Sequence, residues 1–129
     1  MGNGSPSWLP ARRNATVTHT FAANAQKAIE RYPFNEQSGY FGERGSRGDV
    51  RRIECESPIK QAHDFFAIVA DGGRLSDLPG GKGWRVDLKD GTVVMLRDTS
   101  SDGSPSMKLG ISREYDGRVK SQKIHFTQK

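Results

Sequence analysis

The chain has 129 residues, carries 20 Lys and Arg against 15 Asp and Glu for a net charge of +5, and is 33% hydrophobic. That length suits one domain with a lean core, and the basic balance favours polyanionic partners, either nucleic acid or an acidic protein. Cys55 is the only cysteine, which excludes an intrachain disulfide, and with no apolar run near the ~18–20 residues of a membrane span, no membrane segment is expected.

The opening residues Met1–Ser7 lack a basic region followed by an apolar one, so no signal peptide is expected there. Residues 1–16 are polar and interrupted by Pro6 and Pro10, and are expected as an irregular arm. Residues 17–129 are expected as a single domain. Phe21, Ala25, Ala28, Ile29 and Tyr32 fall at helical spacing and predict a helix over about 20–32, with Thr20 or Thr18 as cap and Pro33 as stop. His19 beside that cap reads as a solvated helix-end residue. In Asn35–Asp49, glycines at 39, 42, 45 and 48 alternate with Arg44 and Arg47. No strand–turn–helix context makes this a phosphate-cradling loop. It reads as a flexible basic loop whose arginines are candidates for touching RNA backbone.

Val50–Glu54 predicts a short strand. Ser57-Pro58 opens a second helix over about 58–71, with Ser57 as cap and Pro58 in the first helical position. Ile59, Ala62, Phe66 and Val69 form its expected buried stripe, flanked by Phe65 and Ile68. His63 lies beside that stripe and reads as a packed side chain. Leu75–Lys82 is expected to be a connector with its turn at Pro79-Gly80-Gly81.

From about 83 to 127 the apolar residues alternate, and Lys89-Asp90-Gly91 marks a hairpin. Its register decides which side chains share a face. A two-residue turn would set Arg97 alongside Trp84, Val86 and Leu88. A three-residue loop, with Gly91 left-handed, pairs Leu88 with Thr92. Then Trp84, Val86, Leu88, Val94 and Leu96 share one face, and Arg85, Asp87, Val93, Met95 and Arg97 the other. The second is preferred, because burying an unpaired charge costs several kcal/mol. In the next strands Met107, Leu109, Ile111, Ile124 and Phe126 point inward, and Lys108, Lys123, His125 and Thr127 outward. The open face then gathers Arg85, Arg97, Lys108, Lys123 and His125. The expected fold class is α+β, with N-terminal helices on one face of a small, mainly antiparallel four-stranded sheet.

Metal-free RNA cleavage needs a base for the ribose 2′-hydroxyl, cations for the phosphorane-like transition state and an acid for the leaving 5′-oxygen. Histidine suits the acid or base role near neutral pH, Arg and Lys supply the charge, and hydroxyls orient the phosphate. His125, Arg97, Lys123, Thr99 and Ser100 make such a set. Cys55 has no supporting arrangement for a nucleophile, three scattered histidines and one cysteine make no zinc pattern, and no cofactor is expected.

Ser57-Pro58 opening a helix that carries Phe65-Phe66, then Gly81-Lys82-Gly83, Asp90-Gly91-Thr92, Arg97, the Ser101–Pro105 loop SDGSP and the terminal Gln122–Phe126 QKIHF resemble the C-terminal toxin domains of bacterial polymorphic and contact-dependent inhibition toxins. The resemblance covers about Ile53 to Phe126; residues 1–50 do not contribute. It implies the barnase–EndoU–colicin–RelE-like group of ribonucleases, metal-independent endoribonuclease activity with tRNA among the substrates, and a 2′,3′-cyclic phosphate product. It also implies a cognate acidic immunity protein, a monomer or toxin–immunity heterodimer, and delivery as the tail of a larger secreted toxin acting in the target-cell cytoplasm. The matched site positions are Arg97, Ser100, Lys123 and His125, with Ser104 and Lys82 weaker. Thr99, Arg85 and Lys108 are not matched positions; the reading of the residues themselves expects them to support RNA binding. Two histidines are usual in EndoU-like sites and only one lies here, so His63, Lys82, Lys123 or a hydroxyl-assisted water is left for the second acid–base role. The alternatives are a non-catalytic nucleic-acid-binding module, which does not require His125, and a protein-interaction domain with an acidic partner.

Overall fold

The computed structural model describes residues 6–9, 19–99 and 103–129. Helix α1 (Phe21–Arg31) buries Phe21, Asn24, Ala25 and Ala28, the spacing of an amphipathic helix. Thr20 holds the N-cap position, but its side chain makes no capping bond. The Phe21 amide instead donates to Asp90 Oδ2 at 3.2 Å, so a carboxylate from a distant hairpin sits at the positive end of the helix. Helix α2 (Pro58–Val69) begins on proline and also lacks a side-chain cap from Ser57. It buries Ala62, Phe65, Phe66 and Val69. The stripe is therefore rotated from the expected one: Phe65 faces inward, and Ile59 is 51% exposed. α1 packs on α2. Asn24 donates from Nδ2 to the carbonyls of Val69 and Asp71, each at 2.9 Å, satisfying groups that the end of α2 leaves open.

The described residues form nine strands, four of them between α1 and α2 and five after α2. They are β1 (Phe34–Asn35), β2 (Tyr40–Phe41), β3 (Glu43–Arg44), β4 (Val50–Cys55), β5 (Arg74–Asp77), β6 (Gly83–Asp87), β7 (Val93–Arg97), β8 (Ser106–Gly110) and β9 (Gln122–Gln128). β1 and β2 form a small two-stranded sheet, and the rest form one sheet in the order β3-β4-β9-β8-β7-β6-β5. β4 and β9 run parallel; the other neighbours are antiparallel.

This corrects the expected fold class. The sheet has seven strands and is mixed, where a mainly antiparallel four-stranded one was expected. Arg74–Asp77, inside the expected connector, is an edge strand paired to β6. With Leu75 as its only apolar residue, it leaves almost no alternating signal. β4 lies between β3 and β9, and its parallel pairing needs a long crossover. Here that crossover contains α2 and the whole β5–β8 meander, so nothing local to either strand announces the partner.

The hairpin takes the three-residue loop. Leu88 N donates to Thr92 O at 2.9 Å, Gly91 N donates to Leu88 O at 3.0 Å, and Gly91 has φ 94°, which glycine adopts without steric cost. Val86, Val94 and Leu96 are fully buried on the helix side, with Met107, Ile124 and Phe126 beside them across β8 and β9. Phe65 of α2 stacks on Tyr32 at 4.2 Å and meets Phe41 and Phe126 edge-on at 5.0 and 5.9 Å. The core thus lies between α2 and one sheet face. The other face carries the polar alternates, including Arg97, His125 and Lys123.

Candidate active site

Directly opposed residues of neighbouring strands share a face. One row across the sheet reads Arg97, Ser106, His125, Arg52; the next reads Arg85, Met95, Lys108, Lys123, Val50. Two rows of polar and cationic side chains therefore stand on the face that the helices leave open. Arg97 and Lys108 are exposed, Lys123 and His125 half-buried.

The loop between β3 and β4 forms a wall beside these rows. Gly45 N donates to Val50 O at 2.8 Å and Val50 N to Arg47 O at 3.2 Å, closing the turn on itself. Arg51 Nη2 donates to Gly48 O at 2.9 Å, and Lys123 N donates to Asp49 O at 2.8 Å, tying the loop to β9 two residues before His125. The result is a cavity of about 630 Å³ whose lining includes Arg47, Asp49, Arg97, Lys108, Lys123 and His125. Four cationic residues, one aspartate and one histidine thus border a common space. Ser104 Oγ lies 3.2 Å from His125 Nδ1, a hydrogen bond whose direction follows the tautomer, and it orients the ring.

Arg97, Lys108, Lys123 and His125 are brought together as the hairpin register requires, and Ser104 touches His125. Arg85 shares the face but turns to Asp87, with Nη2–Oδ1 2.9 Å and Nε–Oδ2 3.1 Å. Those hydrogen bonds push its pKa up and engage its charge. Arg52 likewise pairs with Glu43 at 3.5 Å. Lys82 is exposed beside β6 and is not part of the cavity lining. Thr99 lines a neighbouring cavity with Ser104. Ser100 lies outside the described residues.

His63 is on the helix side. Its ring stacks on Trp8 with centroids 3.9 Å apart and meets Trp84 edge-on at 6.4 Å, while Nε2 sits 3.0 Å from Asp98 Oδ1. Its side chain is only 16% exposed. His19 lies at the surface, 3.3 Å from Asp71. Asp49 borders the cavity although composition and spacing did not suggest it, and Arg47 was suggested only as a candidate for touching RNA backbone. A Gly-rich turn before a strand was the one available signal for either. Burial pushes the Cys55 thiol above its ordinary pKa, the direction that disfavours the thiolate.

Among the described residues no group of three or more His, Cys, Asp or Glu is arranged to hold a metal ion. No helix among them is long and apolar enough to cross a membrane. Comparison with protein-family models, with curated proteins and with solved structures found no match to this chain.

Proposed function

We propose that this chain is an endoribonuclease domain that cuts RNA through attack of the ribose 2′-hydroxyl on the adjacent phosphate. The observation that carries the reading is one cavity lined by His125, Asp49 and the four cations Arg47, Arg97, Lys108 and Lys123. A phosphodiester is the common ligand that calls for both the charge and a pair of proton carriers.

In this mechanism Asp49 takes the proton from the 2′-hydroxyl, and the 2′-oxygen forms a bond to phosphorus. The P–O5′ bond breaks, and His125 gives its proton to the departing 5′-oxygen. The products are a 2′,3′-cyclic phosphate and a free 5′-hydroxyl. Arg97 and Lys123 stabilise the charge that gathers on the non-bridging oxygens, while Lys108 and Arg47 hold the backbone. Ser104 keeps the imidazole in one orientation, as its 3.2 Å contact supports. Asp49 takes the second proton role in preference to His63, which is engaged by Trp8 and Asp98, and to Lys82, which is not part of the cavity lining.

The likeness of the SDGSP and QKIHF segments to toxin tails supports a biological setting. We place the chain at the end of a larger secreted antibacterial toxin that acts in the target-cell cytoplasm. An acidic immunity protein covering the basic cavity is the partner that charge complementarity favours.

The test is purified protein with total tRNA in EDTA. The expected outcome is discrete cut bands with 2′,3′-cyclic phosphate ends, abolished by His125→Ala. Gel shifts without cleavage would replace this reading with a non-catalytic nucleic-acid-binding module.

A further inference from the structure

Cations recognise phosphate without regard to sequence; a base must be met by other groups. A second cavity, about 810 Å³, adjoins the basic one. Their linings follow one another along the chain at two places, past the end of β7 and within β9. Arg97 and His125 line the basic cavity, whereas Asp98, Thr99, Phe126 and Thr127 line the second. Ser104 joins them, since it lines the second cavity and touches His125 of the first.

The chemistry of the second cavity differs. Its charged lining residues are Glu56, Lys60 and Asp98, so it offers no excess of cations to a phosphate. Its walls mix apolar and hydrogen-bonding groups. Ile59 is the one large hydrophobic side chain left exposed among the described residues, at 51%, and it lines this space along with Pro58 and Pro105. The Thr127 hydroxyl oxygen is buried and has no hydrogen-bond partner, an arrangement that costs free energy unless a partner is supplied. The volume falls within the ~300–1,000 Å³ of small-ligand sites. A flat, uncharged heterocycle with polar edges fits such walls.

Resting on the ribonuclease reading, we infer that this second cavity receives an unpaired nucleobase next to the scissile phosphate, packed on Ile59 with its edge toward Thr127. The substrate class is then single-stranded or looped RNA, because a base held in a helix cannot enter a cavity of this kind.

The test measures binding of fluorescein-labelled 2′-O-methyl octamers of A, C, G or U, and of an abasic octamer with the same phosphates, by anisotropy. The 2′-O-methyl group removes the attacking hydroxyl, so binding is read without cleavage. The wild-type protein is expected to bind at least one of the four homopolymers more tightly than the abasic one. Ile59→Ala and Thr127→Val are expected to erase roughly three- to tenfold of that preference and leave abasic affinity unchanged. Both side chains are replaced by smaller or isosteric groups, and unchanged abasic binding reports an intact fold. Equal binding of all five by the wild type, or a preference that survives both substitutions, overturns the base site. A wild-type protein that shows the preference and loses it in the variants, yet cuts no unmodified RNA, overturns the ribonuclease reading and upholds the base site as a binding site.

Discussion

His125 and His63 sit on opposite sides of one sheet and have been given opposite surroundings. His125 projects from β9 onto the open face, among Arg97, Lys108 and Lys123, with Ser104 holding its ring at 3.2 Å. His63 projects from α2 beneath Trp8, stacked at 3.9 Å and tied to Asp98 at 3.0 Å. One imidazole borders a cavity lined by four cationic residues. The other joins elements together: the N-terminal segment, α2 and the end of β7. On the proposed reading the same side chain serves chemistry in one place and cohesion in the other, and what differs is the company it keeps.

The sharpest way to break this contrast is His125→Ala. Cleavage of tRNA is expected to fall by roughly 10²–10⁴-fold, the range for a general acid, with the thermal midpoint nearly unchanged. Asp49→Asn comes next. It keeps the shape and the backbone tie to Lys123 but removes the proton acceptor, so a loss of about 10²-fold in kcat is expected. A variant with full activity would return the second proton role to another group.

His63→Ala is expected to act in the reverse sense. Losing the stack and the Asp98 contact should cost about 1–3 kcal/mol of stability, read as a lower urea midpoint, while cleavage under native conditions persists. If His63→Ala abolished cleavage without loss of stability, the two histidines would have to exchange roles. Arg85→Ala has a smaller expected effect, less than about 0.5 kcal/mol, since exposed pairs such as Arg85–Asp87 contribute little. Cleavage should hardly change, whereas the same substitution at Arg97 should reduce it strongly.

The smallest effect concerns Cys55. With its pKa raised by burial, less thiolate is present at a given pH in the folded chain than in the unfolded one. Alkylation by iodoacetamide should therefore rise with pH along a curve displaced upward from that measured in urea. Coincident curves would show that burial does not act on the thiol.

Both helices and the β6–β7 hairpin were legible in the sequence because their signals are local. Phe21, Ala25 and Ala28 mark one face of a helix, and Lys89-Asp90-Gly91 joins two alternating runs. The register was legible too, because only the three-residue loop keeps the Arg97 charge out of the core, and it is this register that puts Arg97 in the row of His125. The face of α2 was read less well: Ile59 lies beyond the sheet's cover, and a hydrophobic periodicity does not show where the covering layer stops.

What the sequence determined by itself was therefore the two helices, the alternating strands from β6 to β9, the sides on which their polar residues stand and the basic character of the open face, while the short strands β1, β2 and β3 inside the expected loop went unread. Tertiary structure decided the rest. It placed β4 parallel beside β9, made Arg74–Asp77 an edge strand and folded the Gly-rich loop so that Arg47 and Asp49 border the same cavity as His125. It also took Arg85, Arg52 and His63 out of play by giving them carboxylate partners. Periodicity records how a segment faces its own neighbours along the chain. Which distant segment lies beside it depends on burial summed over the whole sheet, and no short stretch carries that sum.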